Sequence, residues 1–208
     1  RAIDGSILQK RDRFSIAQLN QIALEYRGDF FQDAVTVNIG ARAPFFERDL
    51  NQYCFSQNGS SNVRCTNETP TLVLPNGNVR FATTGTTEFI APYQKTVKYE
   101  DILPNVGVVY RFAEGQSLYG SYAEGLSVPR TDNLYQPVRA ADGSLNFSTV
   151  VPETTKSFDL GYRFRNERTV ASIAAWWTDY DNRIVSSRDT DPASPFFDQF
   201  IDRNLGAV

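Results

Sequence analysis

The sequence predicts an all-β fold: an antiparallel up-and-down transmembrane β-barrel, of which about seven strands are present. Three observations carry this reading. Several segments alternate between apolar and polar residues, the period of a strand with one apolar face. The connections between them run short, long, short, long, short, long. A membrane barrel keeps that rhythm because its tight turns lie on one side of the membrane and its extended loops on the other. Aromatic residues also gather near strand ends (Tyr26, Tyr110, Phe112, Tyr162, Phe164, Trp176, Trp177 and Tyr180), where interfacial girdles belong.

Composition narrows the alternatives. The chain of 208 residues has room for one domain or two, and 41% apolar content is ordinary for a folded protein. A net charge of −3 and a pI near 5.1 offer no basic surface for nucleic acid. No apolar run reaches the ~18–20 residues of a membrane helix. A barrel remains open, since its strands of ~9–11 residues alternate in polarity and keep mean hydropathy low. The chain has no His, which removes the Ser-His-Asp triad, the His-based zinc proteases and most proton shuttles. It has no Met even at position 1, "RAIDGSILQK" lacks an apolar leader core, and "DRNLGAV" stops without a turn. The expectation is an internal piece of a longer chain.

The elements follow in order. "FSIAQLNQIALEYRG" sets Ile22, Leu24 and Tyr26 against Ala23, Glu25 and Arg27. Its register is unclear around Gln18 to Gln21, where a β-bulge is expected. The short link "GDFFQD" makes the next strand an antiparallel neighbour. That strand, "DAVTVNIGARAPFF", places Val35, Val37, Ile39, Ala41 and Ala43 on one face, expected toward lipid. Thr36, Asn38, Gly40 and Arg42 fall on the other, expected toward the lumen. A polar excursion over about 50–97 is long enough to be functional or disordered. "YEDILPNVGVVYRF" then alternates Val106, Val108, Tyr110 and Phe112 with Asn105, Gly107, Val109 and Arg111. After the tight "AEGQ" comes "SLYGSYAEGLSVPRTDNLY", a strand that breaks at Pro129 into a second loop over about 127–151. "TKSFDLGYRFRN" opposes Phe158, Leu160, Tyr162 and Phe164 to Ser157, Asp159, Gly161 and Arg163. A short "NER" leads to "TVASIAAWWTDYDNRI", a third loop over about 186–198, and a last strand from near Phe200. Alternation alone also suits a soluble β-sandwich that binds carbohydrate or protein; the loop rhythm favours the barrel.

Once the loops alternate, the run after Ser117 acquires a context. "LYGSYAEGLSVPRTDNLY" resembles the strand-to-loop pattern of TonB-dependent receptors of bacterial outer membranes. "VVPETTKSFDLGYRFRN" is similar to the family's following descent, "ASIAAWWTDYDNRI" to the next ascent, and "FIDRNLGAV" to a further strand cut short. "VTVNIGARAPFFERDLNQYC" is similar to long members of the group. The resemblance covers about Ala34 to Val208 and is firmest from Leu103 onward. Leu126 and Ser127 stand where the family carries an aromatic and an arginine, so no arginine role transfers there.

The resemblance implies that residues 1–208 are part of the transmembrane barrel domain, a partial wall of a barrel of ~22 strands. The plug domain, the energy-coupling box and the C-terminal strand are not in this sequence. It implies that the three long loops are extracellular. It further implies active uptake of a scarce solute such as a ferric siderophore, a vitamin or an oligosaccharide, with no catalysed reaction and no cofactor. The implied partners are outer-membrane lipid, the plug domain, the TonB energy-coupling complex and a small-molecule ligand.

Candidate residues are few. Cys54 and Cys65 bracket "FSQNGSSNVR", ten turn-forming residues, and are expected to form a disulfide. Closing that loop contributes ~2–3 kcal/mol by chain-entropy reasoning. Two Cys without His make a poor zinc site, so no metal is expected. Arg42 and Asn38 on the polar face, and Arg130 and Tyr135 in the second loop, are candidates to touch ligand. The alternative for the wall arginines is a solvated or salt-bridged role. Arg111 and Arg163 lie beside tight turns, and so at the periplasmic rim. Asp179 and Asp181 share a strand face and could form a glycosidase pair, but aqueous-rim carboxylates explain them more simply. "GQSLYG" has the wrong spacing for a nucleophile elbow. The N-x-S/T triplets at Asn58, Asn67 and Asn146 are no more than chance supplies.

Overall fold

A computed structural model describes residues 9–59, 65–147 and 149–206. The chain begins with β1 (Arg13–Phe30) and β2 (Val35–Gln52). An excursion follows with β3 (Phe55–Gln57), β4 (Cys65–Thr66), β5 (Leu72–Val73), β6 (Val79–Arg80) and β7 (Phe89–Ile90). The return is β8 (Tyr93–Glu100) and β9 (Leu103–Ala113), then β10 (Gln116–Ser127). A 3-10 turn (Thr131–Leu134) leads to β11 (Pro137–Arg139), β12 (Leu145–Phe147) and β13 (Glu153–Arg165). The chain closes with β14 (Val170–Asp181), β15 (Ile184–Arg188) and β16 (Phe200–Asn204). One antiparallel sheet of seven strands forms a wall in the order β1-β2-β9-β10-β13-β14, with β8 also paired to β2. The sheet is open, with β1 and β14 at its edges.

Seven strands were expected, but membership differs. β8 joins the wall, so both ends of the 50–97 excursion are drawn into the ladder. The strand from Phe200 instead pairs with β15 in a separate hairpin.

Register explains the architecture. β1 and β2 keep a single register from Arg13↔Gln52 to Phe30↔Val35, so the bulge expected near Gln18 is absent. The wall's register shift lies at Gln116/Ser117, beside the turn at Gly115. That turn requires glycine: φ is +70°, and a Cβ would sit 1.9 Å from the Arg165 carbonyl oxygen. Phe45↔Glu100 and Arg42↔Leu103 belong to one register along β2, interrupted at Asp101–Ile102 opposite Pro44. Pro104 marks a second break, because the β9–β10 ladder ends at Asn105↔Ala123. Proline has no N–H to donate, and the ladder is interrupted on one side at each of these positions while the opposite side continues through Gln21↔Pro44 and Ala41↔Pro104.

The unbroken registers fix two faces. Ile39, Val106, Tyr122, Phe158 and Trp177 are paired in one row across β2, β9, β10, β13 and β14. Around them Leu24 is 77% exposed, Ile173 71% and Leu160 64%, and nothing described covers them. So large an apolar surface is stable only against another apolar phase. The other face carries Glu25, Arg27, Thr36, Asn38, Arg111, Ser121 and Arg163, as alternation predicts.

Further toward the long-loop end, the faces exchange character. Beyond Phe45 the formerly apolar face of β2 carries Glu47, Asp49 and Asn51, opposite Lys98, Thr96 and Gln94. Immediately beyond Tyr122, Phe158 and Trp177 come Glu124, Lys156 and Asp179, again paired. The formerly polar face now buries Leu50 against Leu134, Tyr135 and Val150, with Tyr93, Val97 and Ile184 packed around them. Phe45, Tyr122, Phe158 and Trp177 thus mark a border, with apolar surface on one side and charge on the other. Trp176 and Tyr180 do not belong to it: their parity puts them on the face of Asp159 and Thr155. Asp179 accepts a hydrogen bond from Trp177 Nε1 at 2.7 Å, which fits a rim carboxylate.

The two faces differ in their tolerance of charge. Ile39→Arg should destabilise the full-length protein folded into lipid vesicles by about 2–4 kcal/mol, and Asn38→Arg by less than about 1 kcal/mol. Urea titrations in vesicles measure both. Equal costs would mean that the apolar face does not meet lipid.

Candidate functional site

The long-loop end carries a folded cap built on the hairpin of β2 and β8. β3 continues β2 and pairs with β7, which leads into β8, so the hairpin extends upward into a five-stranded sheet of order β4-β3-β7-β6-β5. Its core is Val79, Phe81 and Phe89 with Phe55; the rings of Phe55 and Phe89 each meet Phe81 edge-on at 5.3 Å. Cys54 and Cys65 form the expected disulfide, with Cα atoms 5.6 Å apart and both residues buried. It ties the base of β3 to β4.

Glu88 gathers the polar groups of this unit. Asn78 Nδ2 donates to its carboxylate at 2.8 Å, Arg80 Nη2 at 3.1 Å and Asn76 Nδ2 at 3.5 Å. The Asn78 bond, then the Arg80 and Asn76 bonds, hold the Glu88 carboxyl below its usual range, against the opposing effect of burial.

A second core fastens the segment after β10 across the wall. Tyr135 is fully buried. Its hydroxyl lies 2.8 Å from Ser15 Oγ and also reaches the carbonyls of Asn51 (3.2 Å) and Phe14 (3.4 Å). The Arg13 guanidinium stacks over its ring at 4.3 Å, and Arg13 Nε donates to Gln52 Oε1 at 2.7 Å. Asp132 pairs with Arg11 at 3.0 Å and Arg13 at 3.3 Å. Arg48 donates to the Thr131 hydroxyl. These contacts carry the chain from the end of β10 back to β1 and β2, on the polar-face side. Beside them, burial pushes the Tyr93 phenol above its ordinary range.

Among the described residues, hollows open on the polar side. One of about 300 Å³ lies toward the short-turn end and is lined by Arg27, Thr36, Asn38, Arg111, Tyr119, Ser121 and Arg163. Arg111 Nη1 donates to the Thr36 hydroxyl (2.8 Å) and the Asp33 carbonyl (2.9 Å), and Thr36 donates to Asp29 Oδ1 at 2.5 Å. Asn38 Nδ2 donates to Glu25 at 2.9 Å, while its buried Oδ1 has no partner among the described residues. Arg163 stacks on Tyr119 at 4.3 Å. Gly161 makes room for that ring, since a Cβ there would come within 2.3 Å of it. Another hollow, about 340 Å³, lies above the end of β10 and is lined by Arg130, Asn133, Glu153, Ile184 and Asp202 among others. Asp202 accepts from Asn133 (2.7 Å) and Gln136 (2.8 Å), while Arg130 is exposed.

The four expected contact residues therefore do not converge. Asn38 lines the lower hollow, and Arg130 the upper. Arg42 stands exposed on the polar face, opposite Ala23 and Leu103. Tyr135 is a core anchor with no surface to offer a ligand. Arg111 and Arg163 lie toward the tight turns, as expected. Arg27 and Tyr119 were not singled out in the sequence, although parity already placed Arg27 on the same face as Asn38. In chemical terms the arginine-lined hollow suits a carboxylate or phosphate group.

Comparison with known proteins extends this description. Residues 5–208 match the family model described as "TonB dependent receptor-like, beta-barrel". No curated protein matches. Among solved structures, the copper transporter OprC is similar with a TM-score of 0.59 at 14% identity, over 92% of this chain and 25% of that one. A double mutant of the Serratia marcescens hemophore receptor HasR, in complex with its hemophore HasA and heme, has a TM-score of 0.59 at 14% identity, over 92% and 30%. The ferric-catecholate import receptor Fiu from K12 E. coli, closed form, has a TM-score of 0.52 at 14% identity, over 93% and 24%. At these identities the likeness shows the fold alone. The chain spans about a quarter to a third of the length of these structures.

Two measurements test the cap. The folded Glu88 value lies below the usual 4.5, so its stabilisation is full above that pH and is lost as pH falls through the depressed value. Amide protection in β3, β6 and β7, corrected for intrinsic exchange, should decline on acidification. Glu88→Gln should flatten that decline and cost about 1 kcal/mol at neutral pH. An unchanged profile in Glu88→Gln would remove Glu88 from the account. Tyr135→Phe deletes the hydroxyl bonds and should cost about 1–1.5 kcal/mol, so that trypsin cleaves at Arg139 about tenfold faster. Cleavage at the unaltered rate would show that the hydroxyl does not hold the segment.

Proposed function

Because the chain belongs to the TonB-dependent receptor β-barrel family, an outer-membrane family, we propose that it forms part of the wall and outer mouth of a receptor for a scarce solute. The solute would be a ferric siderophore, a vitamin or an oligosaccharide, carried inward by an energised step and not chemically altered. The observation that carries this reading is the exchange of face polarity at Phe45, Tyr122, Phe158 and Trp177. It supports an apolar band sized for lipid below and a folded, water-facing mouth above.

In this reading the long-loop end is extracellular. The loops over about 50–97, 127–151 and 186–198 contribute the cap. Arg42 and Arg130, both exposed on the polar side, attract an anionic solute from above. Asn38 and the arginine-lined hollow lie deeper and face the plug domain that such a lumen holds. The TonB energy-coupling complex acts through that plug, on the side of the tight turns. Siderophore, heme and copper receptors among the structural neighbours support uptake in general and leave the choice of solute to experiment.

The test is uptake by cells that produce the full-length receptor, using a ferric catecholate, a ferric hydroxamate, cobalamin and a maltooligosaccharide as probes. One probe should accumulate only when TonB is functional, and a protonophore should abolish its accumulation. For an anionic probe, Arg42→Glu with Arg130→Glu should raise the half-saturating concentration about tenfold at equal surface abundance. Accumulation that ignores both TonB and the protonophore would overturn energised uptake. An unchanged half-saturation would remove the two arginines from the site.

A further inference from the structure

The long-loop end of the wall contains a strand with one free side. β8 pairs with β2 and with no other strand among the described residues. Antiparallel pairing turns the N–H and C=O groups of every second residue away from the partner. On that side of β8, no backbone hydrogen bond reaches a described residue. The opening has fixed ends. Above it, β7 is paired to β6 through Phe89↔Val79. Below it, the ladder between β9 and β10 stops at Asn105↔Ala123, next to Pro104. One face of the opening is backed: Tyr93 packs on Tyr135 and Phe147, at 6.3 and 5.3 Å between ring centres. The result is a slot along one strand edge, bounded at both ends and backed at Tyr93.

Free edges in stable proteins are usually blunted by lysine, proline or a bulge. Both lysines of β8 are already engaged. Lys98 Nζ lies 2.8 Å from Glu47, and Lys95 sits over the Phe147 ring at 4.1 Å. What remains at the foot of the slot is acidic. Glu100 and Asp101 at the end of β8, and Glu124 across the gap on β10, have no ion-pair partner among the described residues.

We propose that this slot docks one extended segment of a protein partner, which adds to the wall as a strand beside β8 and brings a lysine or arginine to Glu100 and Glu124. Main-chain bonds supply the affinity, and the acidic foot sets the direction and the charge preference. The proposed function enters only through the side from which the partner arrives. Binding can therefore be measured whether or not the receptor's solute is known.

The test uses the full-length receptor in lipid nanodiscs and a fluorescent peptide of roughly ten residues, alternating threonine and valine after two N-terminal lysines. An antiparallel strand brings that terminus to Glu100. Two further copies carry N-methyl groups on alternate amides, one in each frame. Anisotropy should show binding of the parent peptide and of one methylated copy, with the other at least about tenfold weaker. Amides in the 93–103 segment should exchange more slowly on binding. The double variant Glu100→Lys and Glu124→Lys should weaken the parent peptide about tenfold and favour a copy with glutamates in place of the lysines. Absence of binding, or equal affinity for both methylated copies, would overturn strand addition. Protection, in the free receptor, of those amides of 93–103 that point away from β2 would overturn it as well, because a segment of the receptor itself would then fill the slot.

Discussion

The structure depends on pairing β2 along both of its sides. β1 runs along one side of β2 for its whole length, and β8 with β9 along the other in a single register. In hydrocarbon an unpaired N–H or C=O costs several kcal/mol, so a strand crossing lipid must be paired on both sides. An unbroken register has a second effect. Parity set at Thr36 still holds at Gln52, so the side chains that line the polar face at one end belong to the same face as Leu50 at the other. The cap therefore has a predetermined surface to pack on.

Two solvents then act on one sheet. Where the outer face meets lipid, it carries Ile39, Leu160 and Ile173, and the opposite face links Arg111, Thr36 and Asp29 by hydrogen bonds and Asn38 to Glu25. Where water lies outside, charge moves to the outer face in Glu47, Lys98 and Lys156. The inner face then becomes the site of burial for Leu50, Val97 and Tyr93. The same rule of two-residue alternation serves both regions with opposite assignments. In the two cores, Asn78 Nδ2 donates to Glu88, and the hydroxyl of Tyr135 is bonded to the hydroxyl of Ser15.

How much of this was legible in the sequence follows from that exchange. The wall strands could be read where one solvent governs a whole face, as in Val35 to Ala43 or Phe158 to Phe164. Gln18 to Gln21 looked like a bulge because the segment straddles the border: Asn20 and Gln18 share a face with Ile22 and Leu24, but lie level with Phe45 and Glu47. Aromatic content gave the girdle in outline. It could not separate Trp177 from Trp176, since adjacent residues point to opposite faces and only a register decides between them. The cap was unreadable because its strands are two or three residues long, too short for a two-residue period to show. Tyr135 stood out as an aromatic in a polar loop, which suggests a ligand contact. Only the three-dimensional neighbourhood of Arg13, Ser15 and Asn51 shows an anchor. The cysteines were the exception, because a short turn-rich span between two Cys specifies its own closure.

The clasp between the second loop and β1 also has a kinetic meaning. The bond between Ser15 and Tyr135 closes 120 residues of chain, and the ion pair between Arg11 and Asp132 closes 121. The tight-turn hairpins of the wall, β1–β2, β9–β10 and β13–β14, close over only a few residues. Because loop-closure entropy must be met before a distant contact gives anything back, local hairpins form early and such contacts late. The clasp also needs its docking surface on β1 and β2 already in register. Assembly thus has a direction: the wall must zip before the mouth can set. A chain caught between those two events has its wall strands in register but a mouth without a fixed shape.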